Sequence, residues 1–127
     1  MTNETRQRLL DALESCEAIR RHTHTAGVDF AAYLRDAKTR DAVERRLGII
    51  GEALNRAQAS EPTLSDQRPD LGEIVGMRNR IIHGYSRVDN AIVWDAVQNR
   101  IPALQTRLAD LLAEESSRYA PHNPPGA

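Results

Sequence analysis

The sequence has almost no cysteine and no long apolar run, and each absence excludes a class of protein. Cys16 is the single cysteine among 127 residues, so an internal disulfide cannot form. Its place in an apolar helical stripe predicts a buried thiol rather than a nucleophile. The first residues lack the apolar region of a secretory signal, and no stretch has the length of a transmembrane span. We therefore expect a cytoplasmic protein with no membrane partner.

The chain also lacks an excess of either charge, with 17 basic and 18 acidic residues and a formal net charge of -1. A protein that coats nucleic acid would normally carry a broad basic face, which this balance argues against. A hydrophobic content of 40% and a charged content of 28% are ordinary for one globular domain. We expect that domain over residues 1–115 and a flexible, proline-containing tail over residues 116–127.

No run of alternating apolar residues reaches strand length, so the sequence predicts an all-α protein. We expect an up-and-down bundle of four long helices plus one short helix. The first helix is expected from about Asn3 to Arg21, and a short second helix, capped by Asp29, ends at Leu34. The third starts at Asp36 or Thr39 and ends near Ala59. Pro69 and Asp70 open the fourth helix, Gly84 stops it, and Asp89 caps the fifth.

Apolar residues at spacings of three and four mark the faces that these helices bury. They are Leu9, Leu13, Cys16 and Ile19 on the first helix, Val43, Leu47, Ile50 and Leu54 on the third, and Val93, Val97, Ile101, Leu104, Leu108 and Leu111 on the fifth. Pro102 should kink or restart the last of these, because a proline inside a helix loses a hydrogen bond and clashes with the preceding turn.

No group of side chains has the spacing of a metal site. His22 and His24 lie beside a glycine turn without a third ligand nearby, which is typical of helix-end residues facing solvent. The sequence therefore predicts neither a bound metal nor a cofactor.

Positive charge is concentrated in one short segment. Residues 74–88 contain three arginines, one histidine and no acidic residue. Arginine offers a planar fork of donors that matches a phosphate, and histidine can exchange a proton near neutral pH, so the pair suits phosphodiester chemistry. On an ideal helix Arg78 and His83 lie about 140° apart, whereas Asn79 and His83 share a face. One helix cannot close such a site, and a symmetric partner could supply the missing wall.

The residue types alone leave structural alternatives open. His83 could be a simple helix-end residue, Arg78 a structural ion pair, and Asn79 a polar cap partner. Tyr85 could pack on the next helix.

Further residues around this segment also have two interpretations. Arg80 and Arg87 could contact a phosphate backbone or be solvated charges. On the following helix Trp94 is expected to pack, while Asp95, like Glu52 on the third helix, could support an arginine of the site or be an ordinary surface carboxylate.

The segment resembles a known signature. Arg78, four intervening residues, His83, one residue and Tyr85 are similar to the Arg-x4-His-x-Tyr signature of HepT-like toxins, which belong to the HEPN superfamily. The similarity extends over roughly residues 5–112 and includes Lys38–Val43, Ile49–Ala53, Gly76–Arg80, Val88–Asp89 and Ile92–Asp95. Agreement over separated segments is more specific than the signature alone.

The resemblance implies a dimerising HEPN bundle that acts as a metal-independent endoribonuclease toxin. In such a protein His83 would transfer protons, Arg78 would neutralise the phosphate and Asn79 would orient either the phosphate or the imidazole. Arg80 and Arg87 would be possible contacts to RNA, which could be tRNA or mRNA.

The resemblance also implies a control mechanism. Tyr85 would accept AMP from a nucleotidyltransferase antitoxin of the MNT type, and the modification would silence the toxin. The alternative is a catalytically silent HEPN module that binds nucleotides or serves as a scaffold for a nucleotidyltransferase.

Overall fold

The computed structural model describes residues 1–24, 28–64 and 89–119, which form helices and contain no strand, as the sequence predicts. We number the described helices in chain order: α1 (Asn3–Thr23), α2 (Phe30–Arg35), α3 (Ala37–Ser60), α4 (Asn90–Asp95) and α5 (Ile101–Tyr119), with a π-helical turn, Ala96–Arg100, between the last two. None of these helices combines the length and apolar character needed to cross a bilayer. The helix predicted from Pro69 to Gly84 lies outside the described residues.

Aspartates start three of these helices. The carboxylates of Asp29, Asp36 and Asp89 accept hydrogen bonds from the backbone N–H groups of Ala32 at 2.8 Å, Thr39 at 3.1 Å and Ala91 at 3.0 Å. Of the two alternatives for α3, Asp36 is the cap, and the Thr39 hydroxyl donates to its second oxygen at 2.7 Å. These bonds from Thr39 hold the pKa of the Asp36 carboxyl below its ordinary value. Each cap satisfies an N–H group that the first helical turn leaves unpaired.

Helix α1 packs against both α3 and α5 and runs antiparallel to each. Three side-chain hydrogen bonds fix these directions: Thr5 Oγ1 with Ser60 Oγ at 2.8 Å, Arg6 Nη2 to Ser116 Oγ at 3.2 Å, and Arg20 Nη1 to Gln105 Oε1 at 2.8 Å. The start of α1 therefore lies beside the ends of α3 and α5, and its end lies beside the start of α5. Leu64 and Asp89 consequently lie toward opposite ends of the bundle.

The predicted apolar stripes meet in one core. The predicted residues of α3 and those of the chain from Val93 to Leu111 are all buried, as are Leu9, Cys16 and Ile19 of α1. Leu13 is only partly buried and packs at the margin. The stripes and the buried state of Cys16 are therefore confirmed.

The interruption expected at Pro102 takes the form of the π-helical turn. The N–H of Ile101 donates to the carbonyl of Ala96, five residues back, and α5 begins at Ile101. Pro102 is thus the second residue of a new α-helix, where its missing N–H removes no intrahelical bond. The helix restarts one residue before the proline.

Two helices continue further than the sequence predicts. α1 reaches Thr23, whose hydroxyl donates to the Ile19 carbonyl at 2.8 Å in a buried position. α5 continues through Tyr119, past Ser116, where the sequence predicts the tail to begin, and the bond from Arg6 ties Ser116 to α1. Residues 120–127 lie outside the described residues, and the flexibility of the tail stays a prediction.

The neighbouring residues Leu9 and Leu10 provide a matched test of this core. Leu9 is 0% exposed and Leu10 is 37% exposed. Leu9→Ala should lower the free energy of unfolding by about 2 to 5 kcal/mol, because it leaves a cavity between packed helices. Leu10→Ala should change it by less than about 1 kcal/mol. Urea denaturation followed by circular dichroism measures both, and equal losses would contradict the packing of α1.

Candidate functional site

All six residues of the predicted site lie outside the described residues: Arg78, Asn79, Arg80, His83, Tyr85 and Arg87. Their roles stay predictions. The structure does describe the chain that follows them, from Asp89 onward, and the helices against which it packs.

Trp94 lies in an aromatic cluster that joins α4 to α2. Its ring centroid is 5.2 Å from that of Tyr33 and 6.3 Å from that of Phe30, with interplanar angles of 37° and 41°. Tyr33 is fully buried, whereas Phe30 and Trp94 are partly exposed. The packing role predicted for Trp94 is confirmed, and the short helix α2 supplies both neighbouring rings.

Tyr33 supports this cluster and is unsuited to proton transfer. Burial, followed by the nearby Glu44 carboxylate, raises the pKa of its hydroxyl to about 12, although Arg40 acts in the opposite direction. The phenol therefore stays protonated near neutral pH.

An open groove of about 380 Å³ lies beside the exposed part of Trp94, and we call it the Trp94 groove. Its lining residues are Phe30, Ala91, Trp94, Asp95, Gln98 and Asn99. The other five lining residues lie between positions 91 and 99 and have the spacing of a single helical face. Val93 and Val97, on the opposite face, are buried in the core. The sequence predicts this helical spacing, but it does not predict that Phe30 of α2 lies beside these residues.

The edge of the groove is polar. Asn99 Nδ2 donates to Asp95 Oδ1 at 2.7 Å, and both side chains are exposed, as is Gln98. Asp95 is the one charged residue among the six that line the groove. The groove thus combines two aromatic rings with amide groups and a carboxylate, while the expectation that Asp95 supports an arginine of the site stays a prediction.

Glu52 belongs to a different surface. It is exposed and pairs with Arg56 one turn later on α3, with 2.9 Å between Arg56 Nη2 and Glu52 Oε1. Both residues line a groove of about 410 Å³ between α1 and α3 whose charged residues are Arg8, Arg46 and Arg56 with Asp11, Glu14 and Glu52. Because opposite charges are equal in number, this surface offers phosphates little net attraction. The expectation that Glu52 supports an arginine of the site stays a prediction.

His22 and His24 lie at the end of α1, as predicted. Both are exposed, and the backbone N–H of His24 donates to the Arg20 carbonyl at 2.8 Å to close the helix. Over residues 1–24, 28–64 and 89–119, no three or more His, Cys, Asp or Glu side chains cluster in a way that could hold a metal ion.

Comparison with known protein families shows to which family this chain belongs. The model of the family described as "Ribonuclease HepT-like" matches residues 12–111. The chain belongs to the HepT-like ribonuclease family. The matched region begins in α1, ends in α5 and includes the positions of Arg78, His83 and Tyr85. The resemblance read from the signature is therefore confirmed at the level of the family.

Curated relatives of this HepT-like chain carry ribonuclease names. The "Probable ribonuclease HepT" of Thermococcus cleftensis is 35% identical over 103 residues, which cover 81% of this chain and 91% of that protein. A "Putative RNase" of Caldanaerobacter subterraneus subsp. tengcongensis is 30% identical, also over 103 residues, with 81% and 89% covered. No solved structure gives a significant match.

Burial of Cys16 gives a test of its chemical inertness. Desolvation, and secondarily the Glu17 carboxylate, raises the pKa of the thiol from 9.0 to about 12. At about pH 8 the folded HepT-like chain should therefore hold about a thousandfold less thiolate than the unfolded chain. Its reaction with a disulfide reagent such as DTNB should be far slower in buffer than in 8 M urea. A similar rate in both solvents would contradict the burial of this thiol.

Proposed function

We propose that this chain is an endoribonuclease toxin that cleaves RNA without a metal ion. The observation that carries the proposal is the family match over residues 12–111, which spans the Arg78–Tyr85 segment. In the proposed reaction the ribose 2′-OH attacks the adjacent phosphorus, the bond from phosphorus to the 5′ oxygen breaks, and a cyclic phosphate remains. The reaction needs a base for the 2′ proton and an acid for the leaving 5′ oxygen.

The arginine-rich segment contains residue types for each of these tasks. His83 transfers the protons, because an imidazole can accept and donate them near neutral pH. Arg78 neutralises the non-bridging phosphate oxygens through paired guanidinium hydrogen bonds. Asn79 orients the phosphate or the imidazole, and Arg80 and Arg87 contact the RNA backbone.

The described residues on both sides of this segment are fixed in the core. Leu64 is 3% exposed on the N-terminal side, and Val93 is 0% exposed on the C-terminal side. Asp89 lies between the segment and Val93, and its carboxylate caps α4 by accepting hydrogen bonds from the N–H groups of Ala91 and Ile92. The anchor at Asp89, two residues beyond Arg87, supports the proposal, since functional side chains are positioned best when rigid elements hold the neighbouring chain.

We propose that two copies of the chain form the complete site. Arg78 and His83 diverge by about 140° on an ideal helix, so a phosphate held by one is poorly placed for the other. A twofold interface presents the same patch twice and can surround the phosphate with two histidines, of which one can act as base and one as acid.

We propose that the partner of this toxin is an MNT-type nucleotidyltransferase antitoxin that transfers AMP from ATP to the hydroxyl of Tyr85. The phenol oxygen forms a bond to the α-phosphorus, and pyrophosphate leaves. The adduct brings a phosphate charge two residues beyond His83, where the arginines can hold it in place of RNA.

Replacement of the catalytic pair tests the ribonuclease proposal. Arg78→Ala and His83→Ala should each lower the rate of RNA cleavage at least about a hundredfold, because each removes a group that acts on the transferred phosphate. Arg45→Ala on α3 and His22→Ala on α1 are matched controls, since both residues are exposed in other parts of the fold. Cleavage is measured with excess EDTA, and the products are examined for a 3′ cyclic phosphate.

Two outcomes would overturn this mechanism. Full activity in either catalytic variant would remove that residue from the reaction. Strict dependence on a divalent ion with 3′-hydroxyl products would exclude the proposed attack by the 2′-OH. Folded protein with no cleavage under either condition would favour the alternative, a silent HEPN module.

Tyr85→Phe tests the proposed control by AMP transfer. After incubation with the nucleotidyltransferase and ATP, the intact mass of the parent chain should rise by AMP units and its cleavage should stop. The Tyr85→Phe chain should keep its mass and its activity under the same conditions. Tyr33 is fully buried and out of reach of a transferase, so Tyr119→Phe is the useful control. A Tyr85→Phe chain that still gains AMP would exclude this acceptor.

A further inference from the structure

We infer that the Trp94 groove binds one unstacked nucleobase of the RNA substrate, an inference that rests on the proposed ribonuclease function. Its volume of about 380 Å³ lies in the lower part of the range typical of small-ligand sites, about 300 to 1,000 Å³. Single-stranded RNA is recognised mainly by stacking bases on aromatic rings and by hydrogen bonds to base edges.

The aromatic part of the groove is suited to stacking. Phe30 and Trp94 both line it and are partly exposed, so ring surface remains available to a ligand. Tyr33 is fully buried at 5.2 Å from Trp94 and holds that ring in place from the core side. A fixed aromatic ring loses little conformational freedom when a base stacks on it, which favours binding.

The polar part of the groove is suited to a base edge. Asp95 presents a carboxylate that only accepts hydrogen bonds, and Asn99, held against it at 2.7 Å, has a second amide hydrogen to donate. A Watson–Crick edge likewise places donors beside acceptors. An acceptor and a donor fixed side by side can therefore pair with such an edge.

The charge of the groove distinguishes a base from a phosphate. Asp95 is its one charged lining residue, so a phosphate would be repelled there. Phosphates have a cationic segment available elsewhere, with Arg78, Arg80 and Arg87. Ala91 follows Tyr85 by only six positions, and six extended residues span at most about 20 to 22 Å. A few nucleotides can therefore reach from one region to the other.

The π-helical turn, which accommodates Pro102, also contributes to this face of the bundle. Gln98 and Asn99 both lie on the turn Ala96–Arg100 and both line the groove. Such turns are rare and are frequently found at functional sites.

The single tryptophan of the chain provides a direct readout, because a base stacked on Trp94 should quench its fluorescence. The full-length protein is titrated with eight-nucleotide 2′-O-methyl RNA of mixed sequence, which lacks the 2′-OH needed for cleavage. We expect saturable quenching. An abasic oligonucleotide of equal length and charge should give little or none, because it offers phosphates without bases.

Exposed variants test the base edge without disturbing the core. Asp95→Asn and Asn99→Ala should weaken binding about 5- to 150-fold, the range for the loss of one strong base contact. Asp110→Asn and Asn55→Ala are matched controls on exposed positions of α5 and α3. Asp95→Asn also distinguishes a bound base from a bound phosphate. Removal of the negative charge should strengthen RNA binding if the groove holds a phosphate, and weaken it if the groove holds a base.

The outcomes separate this inference from the proposed function. Equal quenching by the abasic and intact oligonucleotides, tighter binding by Asp95→Asn, or no quenching by a protein that cleaves RNA would each overturn the base site. Fluorescence that changes with protein concentration alone would also overturn it and assign the groove to contact between copies. Base-dependent quenching without any RNA cleavage would support the site and reject the ribonuclease proposal.

Discussion

The burial of α1 between α3 and α5 is the constraint on which the described structure depends. Antiparallel packing against both helices puts the end of α1 beside the start of α5, and the Arg20 to Gln105 hydrogen bond fixes that register at 2.8 Å. The chain that leaves α1 forms α2, while the chain that enters α5 forms α4 and the π-helical turn. Both therefore meet at the same end of the bundle, which brings Phe30 and Tyr33 to Trp94.

The π-helical turn reconciles two demands on the last helical stretch. Val93, before the turn, and Val97, within it, must face the core, and so must Ile101 and Leu104 after it. Pro102 cannot donate a hydrogen bond to the preceding turn, so an uninterrupted α-helix would leave a carbonyl without its partner. The wider turn ends at Arg100, the α-helix restarts at Ile101, and the core face continues on both sides of the change.

The sequence predicts local features of this fold well and long-range features poorly. The caps Asp29, Asp36 and Asp89 and the apolar stripes depend on residues three or four positions apart, so the pattern contains the required information. The Trp94 groove depends on a ring supplied about sixty positions earlier, which no local pattern encodes. The last turns of α5 are tied to α1 by the long-range bond from Arg6 to Ser116, whereas the end of α1 is closed by a bond within the helix, from the Thr23 hydroxyl to the Ile19 carbonyl. The proposed catalytic residues are predicted only through family resemblance, since an arginine five residues before a histidine also occurs on ordinary helix surfaces.

The charge distribution constrains how such a protein can select RNA. A formal net charge of -1 gives little long-range attraction for a polyanion, and the groove between α1 and α3 is lined by as many carboxylates as arginines. The cationic segment can neutralise a few phosphates, but phosphate contacts position a nucleic acid without reading its sequence. The proposed base site would supply such reading, since single-stranded RNA is recognised mainly through unstacked bases that meet an aromatic surface with donors and acceptors at its edge. Within the described residues, the Trp94 groove combines these features, so selectivity and phosphate chemistry can reside in separate, neighbouring parts of one small bundle.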